Sequence, residues 1–191
     1  EWTEVPEGMF FLKADINALT GGHSGDDINK GRANANKLLC RFLNRVAGKY
    51  DFYLCEISGG SLHNAIPRDA TAVFAVPAAD KESVRVDFNI FAAEVQDEYS
   101  VTEPTMRLTL QSTDPVARAI DPVVTKNLLR AVCAVFNGVF AMSQDMPGLV
   151  ETSTNLASVK MKEDNTIVVT TSQRSLIESS KIDICRQVES V

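Results

Sequence analysis

Apolar and polar positions alternate along the chain in two rhythms, and the switches between them predict an ordered succession of elements. Between Met9 and Leu19, Phe10, Leu12, Ala14, Ile16 and Ala18 alternate with Lys13, Asp15 and Asn17, the period of a strand with one face covered. From Asn29 to Val46 the spacing becomes helical, with Ala35, Leu38, Leu39, Phe42, Leu43 and Val46 on one side and Gly48 as the stop. Asp51 to Ile57 and Ala70 to Val76 predict two further strands. A second helix, opening at Asp80, places Val84, Phe88, Phe91, Ala92, Val95 and Tyr99 on one face. The expected order is β-α-β-β-α.

The same order is expected again. Met106 to Ser112 predicts a strand and Thr125 to Met142 a helix; Val150 to Lys162 and Thr166 to Ser172 predict a hairpin, and Leu176 to Val188 a closing helix. Glu56-Ile57-Ser58 is echoed by Glu151-Thr152-Ser153 about 95 residues on, too long a period for a solenoid. The expectation is an α+β fold built from a duplicated β-α-β-β-α unit, residues 9–100 and 104–191. The halves are expected to be related by a pseudo-twofold axis, with helices packed on one face of antiparallel sheet.

Composition narrows the function classes. The chain has 191 residues, 45% apolar and 23% charged, enough to bury a core as one domain or two joined halves. A net charge of −6 without a basic run argues against a nucleic-acid partner. No apolar run approaches ~20 residues, so none is expected to span a membrane. Cys40, Cys55, Cys133 and Cys185 lie far apart, which suits buried thiols in a reducing, cytoplasmic setting better than disulfides or a zinc ribbon. The start at Glu1-Trp2-Thr3 and the stop at Val191 within a helical pattern suggest that both ends are cut from a longer chain.

The candidate chemistry centres on Gly21-Gly22-His23-Ser24-Gly25, where the first strand gives way to the first predicted helix. Glycines on both sides free the backbone and leave room for a ligand. A helix N-terminus just beyond would favour an anion beside the imidazole. A histidine that merely caps the helix competes for the same corner. The second half has Ser112-Thr113-Asp114-Pro115 at the matching place, and this asymmetry favours chemistry at His23. Asn64 and Arg174 are the other donors on loops at strand ends, against turn-forming and solvated alternatives. With two histidines, His23 and His63, on different loops, and no C-x-x-C or H-x-x-x-H, the chain lacks a metal-ligand set of its own. Nucleotide-binding and serine-hydrolase motifs are absent as well.

Three stretches together resemble the lid domain of the aminoacyl-histidine dipeptidases, cytosolic dizinc metallopeptidases related to carnosinase. They are Leu19-Thr20-Gly21-Gly22-His23-Ser24-Gly25 with its continuation to Leu39, then Ser58 to Arg68 around Asn64-Ala65-Ile66-Pro67, and Val150 to Ala157 with Ser172 to Ser175. The resemblance covers the whole chain and implies a lid, residues 1–191, inserted in a catalytic domain that carries two zinc ions and the general base; none of that domain's motifs is present. It further implies that His23 binds the scissile carbonyl oxygen as it becomes an oxyanion. Asn64 would hold a substrate carbonyl or carboxylate, and Arg174 the C-terminal carboxylate of a dipeptide. His63 and Asn155 neighbour these motifs without an implied role. In single-unit relatives the carboxylate-binding arginine follows the strand after the N-x-I-P turn, where this chain has Pro77. Arg174 then comes from the second half, which leaves open whether a homodimer is needed. The competing class is a freestanding interaction or small-molecule-binding domain with the lid fold and no catalytic partner.

Overall fold

A computed structural model describes all 191 residues. In chain order its elements are β1 (Trp2–Glu4), β2 (Met9–Asn17), β3 (Gly22–His23), α1 (Ala35–Ala47), β4 (Tyr53–Gly59), β5 (Ala65–Ile66), β6 (Ala70–Pro77) and α2 (Lys81–Glu98). There follow β7 (Arg107–Ser112), β8 (Arg118–Ile120), α3 (Pro122–Ala134), β9 (Gly138–Met142), β10 (Val150–Met161), β11 (Ile167–Ser175) and α4 (Glu178–Glu189). No helix is long and apolar enough to cross a membrane.

One seven-stranded antiparallel sheet, in the order β11-β10-β4-β6-β2-β7, carries the fold, with β9 pairing to the first part of β10. Leu12, Ala14 and Ile16 of β2 turn the same way and are buried, because side chains two apart in a strand share a face. Against that face pack α1, α2 and α3, around a cluster in which Phe42 touches Phe74, Phe88 and Phe91. Such edge-on and tilted ring pairs add about 0.5–1.5 kcal/mol each beyond their burial. The opposite face is partly covered by the β1–β8 ribbon, through Phe11, Cys55, Val73, Ala75 and Ala119. Burial pushes the Cys55 thiol up to about 12. The architecture is α+β, as the two rhythms imply.

Two expected helices change their limits. The first begins at Ala35 instead of near Asn29: Gly31 has φ +67°, and Asn34 is extended with its side-chain oxygen accepting from the N–H groups of Asn36 and Lys37. His23 therefore does not lie at a helix N-terminus. The Thr125 to Met142 segment is not one helix either. Asp121 caps α3, Pro122 takes its first turn, and the helix ends at Ala134; after Val135 the chain is extended, and β9 follows. Tertiary bonds override the helical spacing there, since Asn137 Oδ1 accepts from Leu156 N at 2.8 Å and from Asn34 Nδ2 at 3.0 Å. The second half thus has an additional strand between its helices.

Lys37 of α1 joins the halves. Its Nζ donates to the carbonyls of Val132, Cys133 and Val135 at 2.9, 2.7 and 2.8 Å, which are the unpaired acceptors at the negative end of α3. Burial lowers the pKa of this ammonium, and the three carbonyls offset the cost of desolvating it.

Candidate functional site

His23 sits in a two-stranded ribbon outside the main sheet, β3 against β5, with Gly22 opposite Ile66 and His23 opposite Ala65. The next rung is Ser24 N–H donating to Asn64 O at 2.9 Å. One ribbon therefore carries both His23 and Asn64.

The glycines are required by what surrounds them. Gly21 and Gly22 have φ of +63° and +136°, a region L side chains resist. A methyl on the first would run into the Arg68 side chain, and on the second into Arg32 and Asp27. Those same charged groups fix the loop. Asp27 Oδ2 accepts from the His23 N–H at 2.8 Å and lies 3.2 Å from Arg32 Nη1, which donates to Gly21 O at 2.6 Å. Hydrogen bonds from Lys30 and from the His23 N–H hold the Asp27 carboxyl below the usual carboxylate range. At the base of the loop the buried Glu103 carboxylate accepts from Thr20 N at 2.6 Å and Ala33 N at 2.9 Å.

The histidine's side chain is 41% exposed. Its Nδ1 accepts from the Gly25 N–H at 3.2 Å, which in the neutral ring leaves the proton on Nε2. Asp26 Oδ2, also 3.2 Å from Nδ1, is 85% exposed and competes with the Gly25 N–H for that nitrogen, accepting from it whenever Nδ1 carries a proton. A β-carbon placed on Gly25 would lie 3.0 Å from Arg174 Nη1 and 3.1 Å from both Nδ1 and Cε1 of His23. Imidazole and guanidinium thus flank one glycine, although 151 positions of sequence part them. Arg174 is exposed, on the edge strand β11 opposite Ser153, and enters no ion pair. The three site residues expected from sequence lie around Ser24 and Gly25: Asn64 O accepts from the Ser24 N–H, His23 and Arg174 flank Gly25, and the carboxylates of Asp26 and Asp27 lie beside the histidine. His63 is exposed on the turn before Asn64.

A cleft of about 480 Å³ lies behind the ribbon, lined by Gly22 and Ala65 and by neither His23, Asn64 nor Arg174. A row of polar side chains crosses the sheet there: Asp15 opposite Thr71, Thr71 opposite Ser58, and Ser58 opposite Lys160. No three His, Cys, Asp or Glu side chains meet in a metal-binding group.

Residues 17–103 match the family model described as the peptidase dimerisation domain. The chain is 36% identical over 187 residues to the cytosol non-specific dipeptidase of Escherichia coli (strain K12), covering 98% of the chain and 38% of that protein. It superposes over its whole length on the crystal structure of aminoacylhistidine dipeptidase from Vibrio alginolyticus, with a TM-score of 0.95 and 34% identity, covering 39% of that chain. Residues 17–103 belong to the peptidase dimerisation-domain family. The chain spans less than two-fifths of the length of either dipeptidase. The range matched by the family model contains the β3–β5 ribbon with His23 and Asn64, while Arg174 falls outside it, in the part shared with the two dipeptidases.

The groups that hold the ribbon and its loop in place, Asp27, Arg32, Arg68 and Glu103, were not singled out from the sequence, and Asn155 was named there without a role. No local pattern marks them, and Asp26, Asp69 and Pro104, which adjoin three of them in the chain, are exposed.

Proposed function

We propose that this domain is the substrate-clamping lid of a zinc metallodipeptidase that hydrolyses Xaa-His and other dipeptides in the cytoplasm. What supports the reading is the convergence of His23, Asn64 and Arg174 from remote segments, with no partner within the chain for the exposed arginine. The relatives' names add that proteins sharing this whole domain are dipeptidases.

Each group has a role that follows from its chemistry. Nε2–H of His23 donates to the scissile carbonyl oxygen as it gains negative charge, an interaction strongest in the transition state. The fork of Arg174 pairs with the free carboxylate that ends a dipeptide. Asn64, on the same ribbon as His23, holds the substrate backbone between them. Two zinc ions and the general base belong on this reading to a catalytic domain of the same chain, outside residues 1–191. Residues 9–100 and 104–191 act as paired halves, the second standing where a second subunit stands in single-unit relatives. Light scattering on the full-length protein then decides whether a homodimer forms as well.

His23→Ala in the full-length protein tests the reading. The expected result is a fall in kcat of about 10²–10³ with little change in KM and unchanged zinc content. A normal kcat leaves His23 a corner residue and favours a domain that binds without taking part in catalysis.

A further inference from the structure

The β3–β5 ribbon has two residues on each strand and stands apart from the main sheet. A pair that short does not hold its own position. On its first-half side it is tied by the backbone, with Ala35 N donating to Pro67 O at 3.1 Å. Toward the second half, which brings Arg174, the side chain that bonds to it is Asn155, whose Nδ2 donates to Ala65 O at 2.8 Å. Ala65 is the register partner of His23 and the neighbour of Asn64.

Asn155 lies on β10, two residues beyond Ser153, the register partner of Arg174. Its polar neighbours are used within the hairpin: Thr152 Oγ1 bonds Ser175 Oγ, and Thr154 Oγ1 accepts from Gln173 Nε2. Asn155 alone in that run reaches out to the ribbon. It is 1% exposed, and its Oδ1 is buried without a partner. An amide kept with half its capacity unused is a poor stabiliser, because an apolar side chain of the same shape would leave no orphaned oxygen. Its worth lies in direction.

We propose that Asn155 is a positioning residue that sets the distance between the His23–Asn64 ribbon and the strand pair bearing Arg174, so that oxyanion donor and carboxylate clamp fit one dipeptide. The inference rests on the proposed lid function. Without the Nδ2–H bond, Ala65 O must find water, the ribbon lifts, and His23 moves relative to Arg174. A misplacement near one ångström is worth about a hundredfold in rate.

The test uses the full-length protein with Asn155→Leu, Asn155→Ala and His23→Ala, read by steady-state kinetics on a dipeptide, thermal unfolding and hydrogen exchange by mass spectrometry. Asn155→Leu is expected to keep the wild-type melting temperature. It should lower kcat/KM by about 10- to 100-fold, mostly in kcat, and speed exchange about tenfold in peptides covering residues 21–27 and 61–67 while leaving the rest unchanged. Asn155→Ala should give the same pattern, and it serves if the leucine variant does not fold. If His23→Ala loses activity while a folded Asn155 variant keeps wild-type kcat/KM, the positioning role is overturned and the lid function stands. If His23→Ala is fully active, the lid function falls, and exchange then decides alone: unchanged protection of the two ribbon peptides overturns the positioning role as well.

Discussion

Gly25→Ala separates the site's geometry from the domain's stability. The backbone of Gly25 lies outside the left-handed region, in contrast to Gly21 and Gly22, so alanine brings no φ strain and removes freedom from the unfolded chain, worth about 0.4–1 kcal/mol in favour of folding. Against this stands the new methyl, 3.0 Å from Arg174 Nη1 and 3.1 Å from Nδ1 and Cε1 of His23. Comfortable contact needs roughly 3.5 Å or more, so the neighbours must together yield by about half an ångström. Arg174 is exposed and can swing away at little cost; the imidazole is less free, because Nδ1 is bonded to the Gly25 N–H itself. Net stability should change by less than about 1 kcal/mol, since the two effects oppose each other. Activity should respond more strongly: parting oxyanion donor and carboxylate clamp by that amount predicts a roughly 10- to 100-fold loss in kcat/KM, or about 1.4–2.7 kcal/mol of barrier. Gly8→Ala is the control, with φ +81° and open space around its β-carbon site; it should cost stability and leave kcat/KM intact. The assay is dipeptide hydrolysis by the full-length protein beside a thermal melt. A Gly25→Ala protein with wild-type melting temperature and wild-type kcat/KM would refute the claim that His23 and Arg174 work as a unit across this glycine.

Two further outcomes bear on separate parts of the site. Arg174→Ala should lower kcat/KM for a free dipeptide by roughly 30- to 1000-fold, as expected for a desolvated bidentate pair worth ~2–4 kcal/mol, and should largely erase the preference for the free acid over its C-terminal amide. Arg174→Lys should recover only part of the loss, and an unchanged acid-to-amide ratio in the alanine variant rules out the clamp. Glu103→Gln should destabilise the domain by about 2–4 kcal/mol in urea. The amide would turn an NH₂ toward one of the two backbone N–H groups, Thr20 or Ala33, that the buried carboxylate now receives; a cost below about 0.5 kcal/mol would show that water already serves those donors.

The candidate site's residues stand out in the sequence, whereas what aligns them does not, for a physical reason. His23, Asn64 and Arg174 stand at breaks in local rhythm, where glycine, proline or the end of a strand marks a turn, and such breaks are written within a few residues. The main strands and α1, α2 and α4 follow from periodicity in the same local way. The stretch from Thr125 to Met142 does not: its apolar spacing suits one long helix, but the helix ends at Ala134 and Asn137 bonds Asn34 and Leu156, contacts that no local pattern contains. The ribbon was hidden for the same reason, since two residues per strand are too few to show a period. Its supports lie far off in sequence, Glu103 facing Thr20 and Asn155 facing Ala65.

One of those supports, Asn155, belongs to a polar run that is visible in the sequence. In β10, Thr152, Ser153, Thr154 and Asn155 occupy four consecutive buried positions between Val150 and Leu156, where a strand covered on both faces would ordinarily be apolar. Burying such groups is favourable only if specific partners meet them. Thr152 and Thr154 meet theirs within the hairpin, and Asn155 meets its own in the ribbon, with one oxygen left over. Stability alone gives no reason to keep that arrangement, whereas a requirement that the ribbon stand at a fixed place beside Arg174 does. The polar run in an otherwise covered strand therefore points to the same demand for alignment that the Gly25 substitution probes from the other side of the site.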